Sequence, residues 1–141
     1  MGEPTSLDLF AGMPTGEVTT IENYAITREF ARSERIVRST EPANRFFLIQ
    51  AGDVDYFIHA TAGREVLLRR LTPGDVFGFG AFFSNPTGYL GTAVSCGKSR
   101  VLVWGHQIVR QMAEKHPRFT VNALQIAFSY FAVVLERHAG L

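Results

Sequence analysis

The sequence predicts a mainly β domain with flanking helices, closed by one long C-terminal helix. Three observations carry this prediction. About eight short strand-like runs follow one another between residues 25 and 104, at roughly 8–12-residue spacing and divided by Gly, Pro, Asn and Asp turn clusters. That is the pattern of an antiparallel sandwich or barrel. From His106 the apolar spacing becomes helical, and the last helical run is apolar around most of its circumference. With 141 residues the chain is long enough for one structural domain with a real core. It reads as an N-terminal helical segment (1–24), a β core (25–104) and a helical hairpin (105–141).

In chain order, residues 5–24 read as short helical segments. Leu7, Leu9 and Phe10 are placed to pack down, Gly12 and Pro14 break the run, and Thr15 or Gly16 caps a second segment carrying Val18 and Ile21. Strands are expected over 26–32, 35–38, 45–50, 54–60 and 65–71, then over 89–95 and 100–104. The run Phe46, Phe47, Leu48 and Ile49 marks a buried strand, and Ala62-Gly63 reads as a hairpin turn. A helix is expected over 106–115 through Ile108, Val109 and Met112. Pro117 suits the first turn of the next helix, which runs to about His138.

That last helix is informative. Its polar residues Asn122, Gln125, Ser129 and Glu136 form one narrow stripe, and nearly everything else on it is apolar. A helix packed on one face of a monomer shows a narrower apolar band. One side is expected to lie on the β core. The other calls for a partner, most simply the same helix of a second subunit, giving a homodimer through Leu124, Phe128, Phe131 and Leu135.

Composition removes several function classes. Net charge is +1, from 14 basic and 13 acidic residues, so no overall field draws the chain to nucleic acid. Cys96 is the only cysteine, which excludes an internal disulfide, an iron–sulfur cluster and a Cys-rich zinc site. The start lacks a signal-peptide pattern, and no run of about 20 apolar residues suggests a membrane span. A cytoplasmic location is the expectation.

The stretch Leu71-Thr72-Pro73-Gly74-Asp75-Val76-Phe77-Gly78-Phe79-Gly80 is where a pocket is expected. Pro-Gly-Asp is turn chemistry, and the later glycines let the backbone approach a ligand or another backbone closely. A glycine-bearing loop between two strands is a natural pocket mouth. Phe77, Phe79, Phe82, Phe83 and Tyr89 then line an apolar, aromatic cavity with one hydroxyl, with Gly78 and Gly80 in its backbone. Two readings stand: a small apolar or aromatic effector occupies the cavity, or the aromatic side chains fill it themselves.

The whole order resembles the sensor domain of CRP/FNR-type bacterial transcription regulators. The matching stretches are Phe46-Phe47-Leu48-Ile49-Gln50-Ala51-Gly52-Asp53-Val54, Gly63-Arg64-Glu65-Val66-Leu67-Leu68, the loop from Leu71 to Gly78, Thr92-Ala93 and Val101-Leu102-Val103-Trp104. The resemblance implies a double-stranded β-helix, the cupin-like β-roll of cyclic-nucleotide-binding domains, followed by a dimerisation helix. In family members that bind cyclic AMP, a Glu in the loop takes the ribose hydroxyl and an Arg pairs with the cyclic phosphate. The matching positions here are Phe79 and Tyr89, and no Arg or Lys lies between Arg70 and Lys98. Hydroxyl residues of the long helix that reach adenine correspond to Val134 and Leu135. The resemblance therefore implies an effector pocket, including Thr92, that has lost the groups for cyclic AMP or cyclic GMP. The effector itself is not named by the sequence.

Other members of that family sense through haem. His59, His106, His116, His138, Cys96 and Met112 are ligand types, but none stands in a diagnostic spacing, so no cofactor is predicted. Cys96 reads as a small buried filler. A cupin-like metalloenzyme is the alternative function, yet His59 has no partner before His106, and no Gly-x-Ser-x-Gly elbow occurs. Catalysis is not expected; a pure dimerisation scaffold is the other alternative. The resemblance implies DNA as a partner only through a helix-turn-helix after the long helix, and Leu141 is reached before such a module.

Overall fold

The computed structural model describes residues 8–59, 63–83, 88–89 and 91–139, with only the backbone described for 131 and 133–139. The turn at Ala62 and the loop 84–87 lie outside the described residues, as does Leu7. The first helix, α1, is Thr15–Asn23, entered from extended Pro14. Eight strands follow: β1 Ile26–Phe30, β2 Arg35–Val37, β3 Arg45–Ala51, β4 Val54–His59, β5 Glu65–Leu71, β6 Val76–Phe77, β7 Gly91–Ser95 and β8 Ser99–Gly105. Two helices close the chain, α2 His106–Lys115 and α3 Pro117–Ala139.

The strands form two four-stranded antiparallel sheets, ordered β1-β8-β3-β6 and β2-β7-β4-β5. Consecutive strands alternate between sheets often enough to roll the chain into a sandwich. Alternation along β3 sorts its aromatics. Phe47 points between the sheets and stacks on Phe77 at 4.6 Å. Phe46 points to the helices, where it meets Trp104, Phe119, Phe79 and Phe82. The Trp104 indole N–H donates to the Ile21 carbonyl at 2.8 Å, tying α1 to the same layer.

The Pro-Gly-Asp turn is fixed by its own chemistry. Gly74 takes φ +98°, Asp75 N–H donates to the Thr72 carbonyl at 2.9 Å, and the Asp75 carboxylate accepts from Thr72 N–H at 2.8 Å. Paired main-chain bonds between this turn and Ile49 dock it on β3. Immediately after it comes β6, two residues long, where the sequence suggested only loop. Strand length is the reason: two residues are too few for any alternation to show.

The long helix is about 34 Å at 1.5 Å per residue and departs from the expected polar stripe. Asn122 is buried, and its amide donates to the carbonyls of Leu9 and Ala11, each at 2.9 Å. It fastens the N-terminal turn to α3 rather than facing water. Phe119, Ala123, Ile126 and Tyr130 share the buried side, while Leu124 and Phe128 stand 67% and 73% exposed.

Candidate functional site

A cleft of about 390 Å³ opens between the segment after β6 and α3. The backbone there is set by Gly78, whose φ of +92° is left-handed. A Cβ at this position would fall on the Arg45 carbonyl oxygen, so only glycine lets the chain pass so close to β3. The chain then turns through a short 3-10 helix, Phe79–Phe82.

Of the sequence-predicted residues, Gly78, Phe79, Gly80, Phe83 and Tyr89 come together around this cleft. Phe77 sits in the core between the sheets. Thr92 is buried in β7, where its hydroxyl oxygen accepts from Ser39 N–H at 3.2 Å. Phe82 turns towards Phe46 and Phe119, lining a second apolar hollow of about 260 Å³ beside α2. The side chains of Phe131, Val134 and Leu135 lie outside the described residues.

The far wall is helical and tyrosine-rich. Leu124, Ala127, Phe128 and Tyr130 of α3 line the cleft, with Tyr56 from β4. Tyr130 and Tyr56 were not expected there from sequence. A Tyr among apolar helix residues was a faint signal, since a buried phenol needs a polar partner. Tyr130 has one: its hydroxyl donates to the Val76 carbonyl at 2.6 Å. Its ring packs edge-on to Phe79 at 5.5 Å, and the Arg69 guanidinium lies 5.1 Å from its centroid. Arg69 is also 4.0 Å from the Asp75 carboxylate. Burial pushes both the Tyr130 and Tyr56 phenols well above their ordinary range. Tyr130→Phe should cost about 1–3 kcal/mol by leaving the buried Val76 carbonyl unpaired; urea unfolding reads this, and an unchanged midpoint would contradict it.

Tyr89 differs from Tyr130. Only 6% of its surface is exposed, and its hydroxyl is buried with no hydrogen-bond partner among the described residues. Burial raises the phenol, and the neighbouring Arg45 guanidinium works against that shift.

The remaining candidate groups are engaged elsewhere. His106 Nε2–H donates to the Phe83 carbonyl at 2.6 Å, and His116 Nδ1 is 3.1 Å from the Glu17 carboxylate. The Cys96 thiol is pushed up by burial and by Asp55. The bond from Arg70 holds the Asp55 carboxyl below its usual range. Among the described residues no three His, Cys, Asp or Glu side chains converge as a metal site, and no helix is long and apolar enough to cross a membrane.

Two rolled antiparallel sheets, a glycine-bearing loop over a cleft and a long helix forming its far wall define a cyclic-nucleotide-binding-like fold. The profile of the family described as "Cyclic nucleotide-binding domain" matches residues 27–116, and the chain belongs to that family. Among solved structures, the Thermus thermophilus catabolite activator protein superposes with a TM-score of 0.81 at 22% identity, covering 93% of this chain and 62% of that one. The N-terminal domain of a transcriptional regulator from Streptomyces coelicolor gives 0.70 at 18% identity, covering 88% of each chain. The heme domain of CooA from Carboxydothermus hydrogenoformans gives 0.66 at 16% identity, covering 85% of this chain and 82% of that one. The fold expected from the CRP/FNR resemblance is the fold observed. The chain spans about three fifths of the catabolite activator protein's length. No curated protein sequence shows significant similarity to it.

Proposed function

We propose that this chain is the effector-sensing and dimerisation domain of a CRP/FNR-like transcription regulator, with a cleft that takes a small apolar effector and not cyclic AMP. The observation that carries the reading is the chemistry of the cleft wall. Phe79 and Tyr89, which the family resemblance matches to the ribose-binding Glu and the phosphate-binding Arg of cyclic-AMP binders, both line the cleft. Placing a cyclic phosphate and a ribose against these rings would strip both of water without returning their hydrogen bonds, at a cost of several kcal/mol.

Dimerisation is read from α3. Val121, Leu124 and Phe128 recur at three- and four-residue spacing on one exposed side, and a second copy of that side is the simplest cover. Leu124 and Phe128 also line the cleft, so an occupant there touches the same helix that would pair. Occupancy would act by population shift: α3 would move, and a DNA-binding module carried elsewhere in the full regulator would be re-aimed. DNA would be contacted by that module and not by this domain.

Isothermal titration with cyclic AMP tests the ligand assignment. No saturable heat is expected up to about 1 mM, the weak end of ordinary ligand affinity. Saturable micromolar binding that survives Tyr89→Ala would overturn the assignment.

A further inference from the structure

Beside the cleft lies the second apolar hollow, about 260 Å³, bordered by the 3-10 helix, α2 and α3. The two spaces adjoin. Phe79, Phe83, Leu124 and Ala127 line both, so they share one loop wall and one face of the long helix. Spacing on α3 gives the pair a direction. Thr120, Ala123, Leu124 and Ala127 recur at three- and four-residue intervals, which puts them on one side of the helix. The cleft continues that row to Tyr130. From Thr120 to Tyr130 the helix rises about 15 Å at 1.5 Å per residue. The hollow stays open because its helical walls carry Ala113, Ala123 and Ala127, where longer side chains would fill it.

The polar side chains at the two ends of this row need no partner from an occupant. The Thr120 hydroxyl donates to the Ala113 carbonyl at 3.1 Å, and the Tyr130 hydroxyl donates to the Val76 carbonyl at 2.6 Å. Between them the helix presents Ala123, Leu124, Ala127 and Phe128. Phe83 borders both spaces from the loop side. Its N–H donates to the Gly80 carbonyl at 3.1 Å and its carbonyl accepts from His106 at 2.6 Å, so its backbone is held while its side chain stands 61% exposed. Apolar surface kept at a rim in this way is stabilised when an apolar molecule displaces the water on it.

Resting on the reading of the cleft as an effector site, we propose that the hollow is the second half of that site, and that the effector is one elongated, uncharged molecule with a chain-like hydrocarbon body lying along α3 from Tyr130 to Thr120. One molecule spanning both halves loses its translational freedom once and buries apolar surface in each. A compact effector confined to the cleft would leave the hollow to water.

The test titrates hexanol and decanol calorimetrically into the domain and into two variants that plug the hollow, Ala113→Leu on α2 and Thr120→Leu on α3; neither residue lines the cleft. Decanol is expected to bind the parent at least about 30-fold more tightly than hexanol, since each buried methylene adds about three- to fourfold. Either plug should weaken decanol by about tenfold or more, the worth of two methylenes denied the hollow, and leave hexanol unchanged. Circular dichroism checks that the variants fold, and plugs on two different helices keep the test alive if one does not. Decanol binding no tighter than hexanol, or unaffected by both plugs, would overturn the proposal and leave the cleft standing. Both variants should sediment like the parent; a changed subunit count would place a second copy of the chain in the hollow and would also overturn it. If neither alcohol binds, the cleft reading itself falls, and the proposal with it.

Discussion

Gly78→Ala is expected to destabilise the domain by about 3 kcal/mol or more, lowering its thermal midpoint by roughly 10 °C. Two costs combine. The left-handed φ of +92° is strained for any residue with a Cβ, and that Cβ would fall on the Arg45 main-chain oxygen. A flexible side chain would move aside, but this oxygen belongs to β3, which is paired on both edges with β6 and β8. Gly74→Ala separates the two contributions. Gly74 has φ +98° with nothing near its would-be Cβ, so it carries backbone strain alone and should cost about 1 kcal/mol. Paired denaturant curves read both variants. A Gly78→Ala protein within about 0.5 kcal/mol of the parent, the range of an ordinary surface change, would contradict this account of the loop.

The second large effect concerns α3. Replacing both Leu124 and Phe128 with Glu is expected to convert a dimer into a monomer, raising the dissociation constant by about 100-fold or more. Buried aromatic and aliphatic anchors carry most of an interface's energy, and four unpaired carboxylates would face one another across a two-fold axis. Because both residues are exposed in the isolated chain, the substitution should leave its own fold intact, visible as an unchanged circular dichroism spectrum. Sedimentation velocity reads the outcome, and equal sedimentation of variant and parent would place the interface elsewhere. The same variant alters two residues lining the cleft, so effector affinity should fall with the dimer.

Much of the fold was legible because it is written in local signals. The helix His106–Lys115 has clear helical spacing, and Gly-Asp and Pro-Gly-Asp turns mark the start of β4 and the end of β5. What local signals cannot express is pairing. The strand Val76–Phe77 exists because β3 offers it a ladder, and that same ladder draws Phe77 into the core onto Phe47 while its neighbour Phe79 faces the cleft. Thr92 likewise follows its strand inward. On α3 the apolar excess was visible, but Asn122 misled: it is polar and buried because two carbonyls of the N-terminal turn need donors. Tyr130 was missed at the site because it lies far along the chain from the loop and reaches it only through helix packing.

Native mass spectrometry of the gently purified domain tests the central claim most directly, because it reads subunit count and bound mass together. A dimer carrying a small organic mass per subunit is the predicted result. A monomer, or a chain whose bound mass is haem or a metal ion, would contradict it.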